Sequence, residues 1–216
     1  MKKNTNLHFL VGHKSGKAWL TRVAESIEKE KGIVISKEMG PKDDYESKKI
    51  LHLIRDPRDV IVSGYFYHRI CKEKWAKNSK YQSLLNLLDK FSGLMVEIHY
   101  ARGAINKTCT NYNSYPNYMC MKYEDLILNQ ETNFRKIFEW FGFEGEAVND
   151  LTRIALSCGF EKITGRKLGE ESKGSHARKG IPGDWKNHFT EKHKEYFKET
   201  YPGVLELLKY EDNDKW

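Results

Sequence analysis

The sequence has little of what marks a membrane protein, a secreted protein or a zinc protein. Its four cysteines are widely spaced and form no C-x-x-C pair. We therefore expect no cysteine-bound metal, and thiols that stay reduced. The apolar run at residues 7–12 is too short for a signal sequence, and no stretch reaches the roughly 20 apolar residues that span a bilayer. These absences predict a cytoplasmic protein without a membrane anchor.

What is present is typical of a globular chain with a basic surface. The 216 residues suit one medium-sized domain, so we expect a single domain over 1–216 with its own core. Lys and Arg outnumber Asp and Glu by 37 to 30, for a formal net charge of +7. That balance suits an anionic ligand, a nucleic acid or a membrane surface, and equally an ordinary solvated surface.

Short apolar runs alternate with helical patterns along the chain. Strands are predicted at 7–11, 33–35, 50–54 and 118–122. Helices are predicted at about 16–31, from Pro57 onward, at 81–106 with a break near Gly93, at 132–141 and at 147–158. Residues 164–184 read as a long loop. This alternation predicts an α/β fold with a parallel sheet flanked by helices on both faces.

The segment 12–19 lies between the first strand and the first helix, where backbone N–H groups bind phosphate. Lys14 and Lys17 add positive charge there. The segment is P-loop-like but departs from the Walker A pattern. Three residues instead of four separate its glycines, and Ala18 replaces the hydroxyl that holds Mg²⁺. The pattern predicts a phosphate site poorly suited to metal-assisted nucleotide chemistry, with a chance Gly/Lys turn as the alternative.

A second anion site is predicted where the third strand ends. Arg55 stands at the strand end, and Ser63 follows two turns into the next helix. The Arg guanidinium binds phosphate with two parallel hydrogen bonds, and the Ser hydroxyl adds a neutral donor. Both side chains are expected to reach one anion from different sides.

Four motifs, in order, resemble those of the cytosolic-type sulfotransferases that use 3′-phosphoadenosine 5′-phosphosulfate (PAPS). The family's K-S-G-x-x-W loop is matched at 14–19 and its R-[ND]-P-[KR]-D-x-x-V-S stretch at 55–63. Its Y-E-D motif is matched at 123–125. The long R-K-G-x-x-G-D-W-K-x-x-F-T motif is matched at 178–190. Together the motifs extend over nearly the whole chain.

The resemblance implies a role for each matched residue. Lys14 would contact the phosphosulfate and stabilise the leaving phosphate, and Trp19 and Tyr123 would contact the adenine. The backbone around the loop would hold the same phosphosulfate through Ser15, Gly16, Lys17 and Ala18. The 3′-phosphate would be held by Arg55, Ser63, Arg178, Lys179 and Gly180. By analogy no metal is needed. Two structural alternatives stay open, Trp19 as a core residue and Tyr123 as an ordinary strand residue.

The catalytic base is where the sequence departs from the family. The family's base is a histidine in a K-x-H-x-P stretch after the second strand, and this chain has none. The matching place holds Glu38, which can act as a base if burial raises its pKa. The alternative for Glu38 is a solvated loop residue. His13, His68 and His99 are further candidates, each with a surface or packing role as its alternative.

The resemblance implies transfer of a sulfuryl group from PAPS to a hydroxyl or amine of a small acceptor by in-line displacement, with 3′-phosphoadenosine 5′-phosphate (PAP) as product. A kinase with a degenerate P-loop and a non-catalytic nucleotide-binding protein are the alternatives. Nucleic-acid binding is disfavoured, because the basic residues cluster in the phosphate motifs. The acceptor and the oligomeric state stay open.

Overall fold

A computed structural model describes residues 6–38, 47–73, 79–172, 174–175 and 177–216, without the side chain of Glu38. Four parallel strands form one sheet in the order β2-β1-β3-β4. The strands are β1 (Leu7–Val11), β2 (Ser36–Glu38), β3 (Lys49–Ile54) and β4 (Tyr118–Lys122). Leu51 on β3 pairs with Phe9 on one side and with Met119 on the other. The predicted α/β fold is confirmed.

Helices surround the sheet and occupy most of the remaining chain. The first five are α1 (Lys17–Lys31), α2 (Pro57–Ile70), α3 (Lys80–Leu87), α4 (Lys90–Tyr100) and α5 (Arg102–Asn111). They are followed by α6 (Tyr123–Leu128), α7 (Gln130–Phe141), α8 (Gly145–Ser157) and α9 (Phe160–Thr164). A 3₁₀ turn at Asp184–Asn187, α10 (Glu191–Thr200) and α11 (Val204–Leu207) complete the described chain. None of these helices is both long and apolar enough to cross a membrane.

Two clusters of buried side chains form the core. The first contains strand residues such as Phe9 and Leu51, which share one face of the sheet, together with α1, α7 and α8. Helix α1 buries five residues at helical spacing and ends at Gly32, whose φ of 68° is the left-handed conformation of a helix C-terminus. The second cluster joins α2, α4, α5 and α10 to Trp185.

Two sequence predictions about element boundaries are wrong. The second strand is at 36–38 instead of 33–35, and Ile35 of the predicted run is instead a buried core residue just before β2. The helix break falls at Asp89, whose side chain accepts a 2.7 Å hydrogen bond from Ser92 N–H and so starts α4. Gly93 lies inside α4, where an added Cβ would come within 2.6 Å of the Tyr65 ring. Its role is close packing of α4 against α2.

Candidate functional site

The loop between β1 and α1 presents backbone donors that the protein itself does not use. Its chain reverses through Lys14 (φ 60°) and Gly16 (φ 99°) and enters α1 without a side-chain cap or an acidic residue in the first turn. In the described part of the chain, no acceptor is found for the backbone N–H groups of Gly16, Lys17 and Ala18. Unpaired N–H groups and the helix dipole both favour an anion at this point.

Gly16 is needed for more than its backbone angle. A Cβ at this position would lie 3.1 Å from a Leu53 methyl and 3.2 Å from the Tyr123 ring. The loop therefore packs directly on the end of β3 and on the first residue of α6. This close approach brings the loop to the ends of two strands.

Among the described residues no carboxylate forms an ion pair with the Lys14 ammonium, and Glu97 and Glu73 act on it only through their charges. Its Nζ lies 3.9 Å from the centre of the Tyr67 ring. Burial, and then the nearby positive charge of Arg55, lower the pKa of Lys14 from 10.5 to about 8. A buried cation without an ion-pair partner is stabilised by any anion that binds beside it.

Arg55 connects three segments that are distant in sequence. Its Nη1 donates to the Lys14 carbonyl at 3.1 Å, and its Nη2 donates to the Ile181 carbonyl at 3.4 Å. Its guanidinium lies 4.7 Å from the Tyr123 ring, whose hydroxyl donates to the Gly180 carbonyl at 3.4 Å. The Nε of Arg55 is buried and has no acceptor among the residues that the structure describes. Three segments thus meet at one guanidinium that still has a free N–H: the β1–α1 loop at residues 12–16 (the phosphate loop), the end of β3, and the loop at residues 165–183 (the C-terminal loop).

The cations of the C-terminal loop are already paired. Arg178 donates to Glu171 at 3.0 Å and also to Asp184, and Lys179 donates to Asp184 at 3.0 Å. Burial alone would raise the pKa of Asp184, but hydrogen bonds from Arg178, Asn187 and Lys179 hold it well below its usual value. Asp184 is therefore ionised, and it fixes both cations in position.

Arg178 also lies against α2. Its guanidinium is 4.2 Å from the centre of the Phe66 ring. Ser63 comes one turn earlier on the same helix, and positions three apart share a face. The partly buried Ser63 is thus on the side of α2 that Arg178 covers. The structure brings these two predicted 3′-phosphate residues to the same surface.

Asp59 is a residue of the 55–63 motif to which the sequence assigned no role. Its buried carboxylate accepts from Gly183 N–H at 2.7 Å and from Trp185 N–H at 2.9 Å, and it lies 3.8 Å from Arg55. Burial raises its pKa, with the charge of Arg55 acting in the opposite direction. The i,i+4 spacing from Arg55 on the start of a helix was the sequence signal for this pairing. Asp59 attaches the C-terminal loop to α2.

Trp19 and Tyr123 both lie in the first core cluster, each 8% exposed. Trp19 packs edge-on against Phe134 and Tyr123, and its buried indole N–H has no hydrogen-bond partner within the described part of the chain. The core role that the sequence left open for Trp19 is thus present, whereas the alternative of Tyr123 as a strand residue is wrong, because Tyr123 begins α6. Contact of these two rings with adenine stays a prediction.

The candidate bases differ in their surroundings. His99 is exposed on α4, whereas His13 and His68 are joined by a 3.2 Å hydrogen bond between their Nε2 atoms. The backbone of Glu38 pairs with Leu10 in the sheet, but its side chain lies outside the described residues, so its role as base stays a prediction. In the described part of the chain, no three His, Cys, Asp or Glu side chains are grouped as metal ligands.

Comparisons with known proteins agree with this geometry. The model of the sulfotransferase domain family matches residues 35–209. Human sulfotransferase 2A1 is 28% identical over 174 residues, which covers 74% of this chain and 58% of that protein. The 3-alpha-hydroxysteroid sulfotransferase of Cavia porcellus is 27% identical over 175 residues, with the same coverage of both chains. This chain thus spans less than two thirds of the length of these relatives.

Solved structures show the same fold. Mouse sulfotransferase SULT7A1 complexed with PAP superimposes with a TM-score of 0.62 at 20% identity, over 94% of this chain and 87% of that one. A retinol dehydratase complexed with androsterone and PAP gives a TM-score of 0.52 at 18% identity, over 80% and 52%. Since the family model matches well over half of the residues, the chain belongs to the sulfotransferase domain family.

Proposed function

We propose that this protein transfers a sulfuryl group from PAPS to a hydroxyl or amine of a small acceptor, with PAP as the product. The observation that carries this proposal is the junction at Arg55. One guanidinium contacts both the Lys14 carbonyl and the C-terminal loop at Ile181, so two anion-binding segments share one site. A nucleotide with phosphates at both its 5′ and 3′ positions is the ligand that such a pair of segments fits.

Each of the two segments would bind a different end of the donor. The unpaired N–H groups of Gly16, Lys17 and Ala18, with the Lys14 ammonium, would hold the 5′-phosphosulfate. The opposite end, formed by Arg55, Ser63, Arg178 and the backbone of Lys179 and Gly180, would hold the 3′-phosphate. PAPS supplies the activated sulfuryl group. The protein contributes position and positive charge near the bond that breaks, and these two effects account for most of the catalysis in comparable phosphoryl transfers.

A small organic alcohol or phenol is our proposed acceptor. The surroundings of Lys14 support it, because Tyr67 lies under the ammonium and Tyr81 and Tyr100 stack at 3.7 Å nearby, around His68. The names of the relatives and the androsterone held by the retinol dehydratase point to hydroxyl compounds in those proteins. Four free thiols are consistent with the cytoplasmic location that we also propose.

The test of the donor is calorimetric titration with PAP in the absence of Mg²⁺, beside AMP and ATP. We expect PAP to bind in the micromolar range and much more tightly than AMP, which lacks the 3′-phosphate. Equal affinity for PAP and AMP would contradict the proposal. Tighter binding of ATP, with activity that a chelator abolishes, would support the kinase alternative.

The test of transfer is a sulfation assay with PAPS and a panel of phenols and aliphatic alcohols. Formation of PAP in step with a sulfated product is the expected result. Binding of PAP without turnover of any member would favour the non-catalytic nucleotide-binding alternative.

A further inference from the structure

Two buried side chains and a half-buried one form a hydrogen-bonded chain that ends inside the phosphate loop. Oε2 of Glu97, on α4, lies 2.9 Å from Nδ1 of His68. The other ring nitrogen of His68, Nε2, lies 3.2 Å from Nε2 of His13. Glu97 is 1% exposed and His68 is 3% exposed. Polar groups buried this deeply are costly unless they are hydrogen-bonded to one another. The arrangement is therefore a built feature of the fold.

The neighbouring structure is shaped around Glu97. The Tyr81 hydroxyl donates to its Oε2 at 2.5 Å. A Cβ on Gly64, one turn before His68, would come within 2.3 Å of its Oε1, so only glycine leaves room for the carboxylate. On α4, Glu97 occupies the stripe otherwise filled by Gly93, Leu94 and Ile98. A carboxylate on the apolar face of a helix was the sequence signal for this site.

The hydrogen-bond partners favour one assignment of the ring protons. Glu97 receives the Tyr81 hydroxyl and is an acceptor, so we assign the proton of His68 to Nδ1, which donates to Glu97. Nε2 of His68 is then the acceptor for Nε2–H of His13. That assignment leaves Nδ1 of His13 with a lone pair, and no described residue hydrogen-bonds to this atom.

His13 lies beside the proposed reaction centre. It immediately precedes Lys14, and its ring centre is 5.8 Å from that of Tyr67, the ring that contacts the Lys14 ammonium. Burial, followed by the charges of His68 and Lys14, lowers the pKa of His13 to about 3. His13 is therefore neutral at physiological pH, and a proton that stayed on it would be repelled by Lys14.

We propose that His13 takes the proton of the attacking hydroxyl at Nδ1 while its own Nε2 proton passes to His68, which Glu97 stabilises as a cation. This proposal rests on the proposed sulfotransferase function. The acceptor oxygen forms the new S–O bond with a lone pair, and its O–H bond breaks toward His13. The bond between sulfur and the bridging oxygen breaks, and its electron pair leaves on the phosphate of PAP.

The relay moves the positive charge away from Lys14. On His13 the charge would be adjacent to that ammonium, whereas on His68 it lies 2.9 Å from a carboxylate. His13 is thus the catalytic residue, and His68 and Glu97 are positioning residues. The titratable groups that interact with these three are Lys14, Lys17, Tyr67, Glu73, Tyr81, Tyr100 and Tyr201.

The first test compares His13→Asn with His99→Asn, a matched change at the exposed histidine of α4. We expect His13→Asn to lower kcat about 10²–10⁴-fold for an unactivated phenol, while the Kd for PAP changes little. With 4-nitrophenol, which is largely ionised at mildly alkaline pH, most of that loss should disappear because no base is needed. An equal loss with both phenols, or unchanged kcat, would overturn the proposal.

The positioning residues have a different signature. We expect His68→Asn and Glu97→Gln each to lower kcat with the unactivated phenol. Each should also shift the low-pH side of the dependence of kcat on pH. With 4-nitrophenol the loss of kcat should be smaller. Should Glu38→Gln alone show the acceptor-dependent loss, the base is Glu38 and the relay is wrong. PAP binding in every variant keeps this outcome distinct from failure of the sulfotransferase proposal.

A second measurement depends neither on turnover nor on how the variants fold. Nitrogen-15 NMR of the wild-type histidines reports which ring nitrogen is protonated. The expected pattern is Nδ1–H on His68 and Nε2–H on His13, with Nδ1 of His13 unprotonated. The opposite tautomer on either histidine would contradict the relay, whatever the substrate proves to be.

Discussion

The phosphate loop and the C-terminal loop hold their positive charge in opposite ways. In the first, Lys14 has no ion-pair partner among the described residues, and the N–H groups at the start of α1 are unused. In the second, Arg178 and Lys179 are already bound to Asp184 and Glu171. The first site gains its full electrostatic stabilisation from the ligand. The second is preorganised, and a phosphate there has to share donors with resident carboxylates.

This difference matches the chemistry proposed for each end. Charge develops on the leaving phosphate during transfer, and an uncompensated cation responds most strongly to such a change. The 3′-phosphate keeps its charge throughout the reaction. A preorganised, partly neutralised site suits it, because it needs recognition and no further stabilisation in the transition state.

The largest expected effect is on kcat at the phosphate loop. Lys14→Ala removes the unpaired cation and should lower kcat about 10²–10³-fold, the usual cost of one donor to a developing oxyanion. Lys17→Ala removes an equal charge from an exposed side chain and should cost less than about tenfold. Steady-state kinetics with PAPS measure both. Equal losses of kcat in the two variants would mean that the loop acts through its overall positive charge and not through a specific contact of Lys14.

At the C-terminal loop the effect should fall on binding. Arg178→Ala should weaken PAP about 10–100-fold, as expected for charge-assisted hydrogen bonds, and should leave AMP binding nearly unchanged. Calorimetry of both nucleotides gives the ratio. Lys167→Ala, an exposed charge in the same loop, is the control. A loss of kcat without a loss of PAP affinity would reverse the roles assigned to the two loops.

The lowered pKa of Lys14 gives a pH test of the same contrast. Lysine is charged below its pKa, so the binding-competent ammonium is lost as the pH rises through about 8. The kcat/KM for PAPS should then fall up to about tenfold per pH unit. In Lys14→Arg this fall of kcat/KM at high pH should vanish, because arginine stays protonated. If the fall persists in that variant, another group causes it.

The remaining expected effects are on stability, at the glycines that shape the two loops. Gly180→Ala combines a positive φ with a Cβ only 2.7 Å from the Phe160 ring, and should lower the free energy of unfolding by about 2–4 kcal/mol. Gly183 has a similar φ but open space around the added Cβ, so Gly183→Ala should lower the free energy of unfolding by about 1–2 kcal/mol. The loss for Gly16→Ala should lie between these two values. Urea denaturation measures all three, and equal costs would show that crowding contributes nothing.

The positions of the candidate donor-binding residues in the fold were largely predictable, because their motifs are local. The phosphate loop needs only a strand, a glycine-rich turn and a helix in succession, and Arg55 needs only the end of the next strand. Parallel strands then bring these ends to one edge of the sheet. The errors were in boundaries, as at Asp89, where a side-chain cap outweighed the expected glycine break.

The sequence by itself determined the alternation of strands and helices, the two anion-binding motifs and the family. All of these depend on residues close together in the chain. Only the tertiary structure decided that Asp59 attaches the C-terminal loop to α2, that Asp184 neutralises the cations of that loop, and that His13, His68 and Glu97 form one chain. Asp184 lies only five or six positions from Lys179 and Arg178, but its contacts form only when the loop folds back on itself. The contacts of Asp59 and of the His13, His68 and Glu97 chain join residues 29 to 126 positions apart. Whether they form depends on how the helices pack across the sheet, which no local pattern specifies.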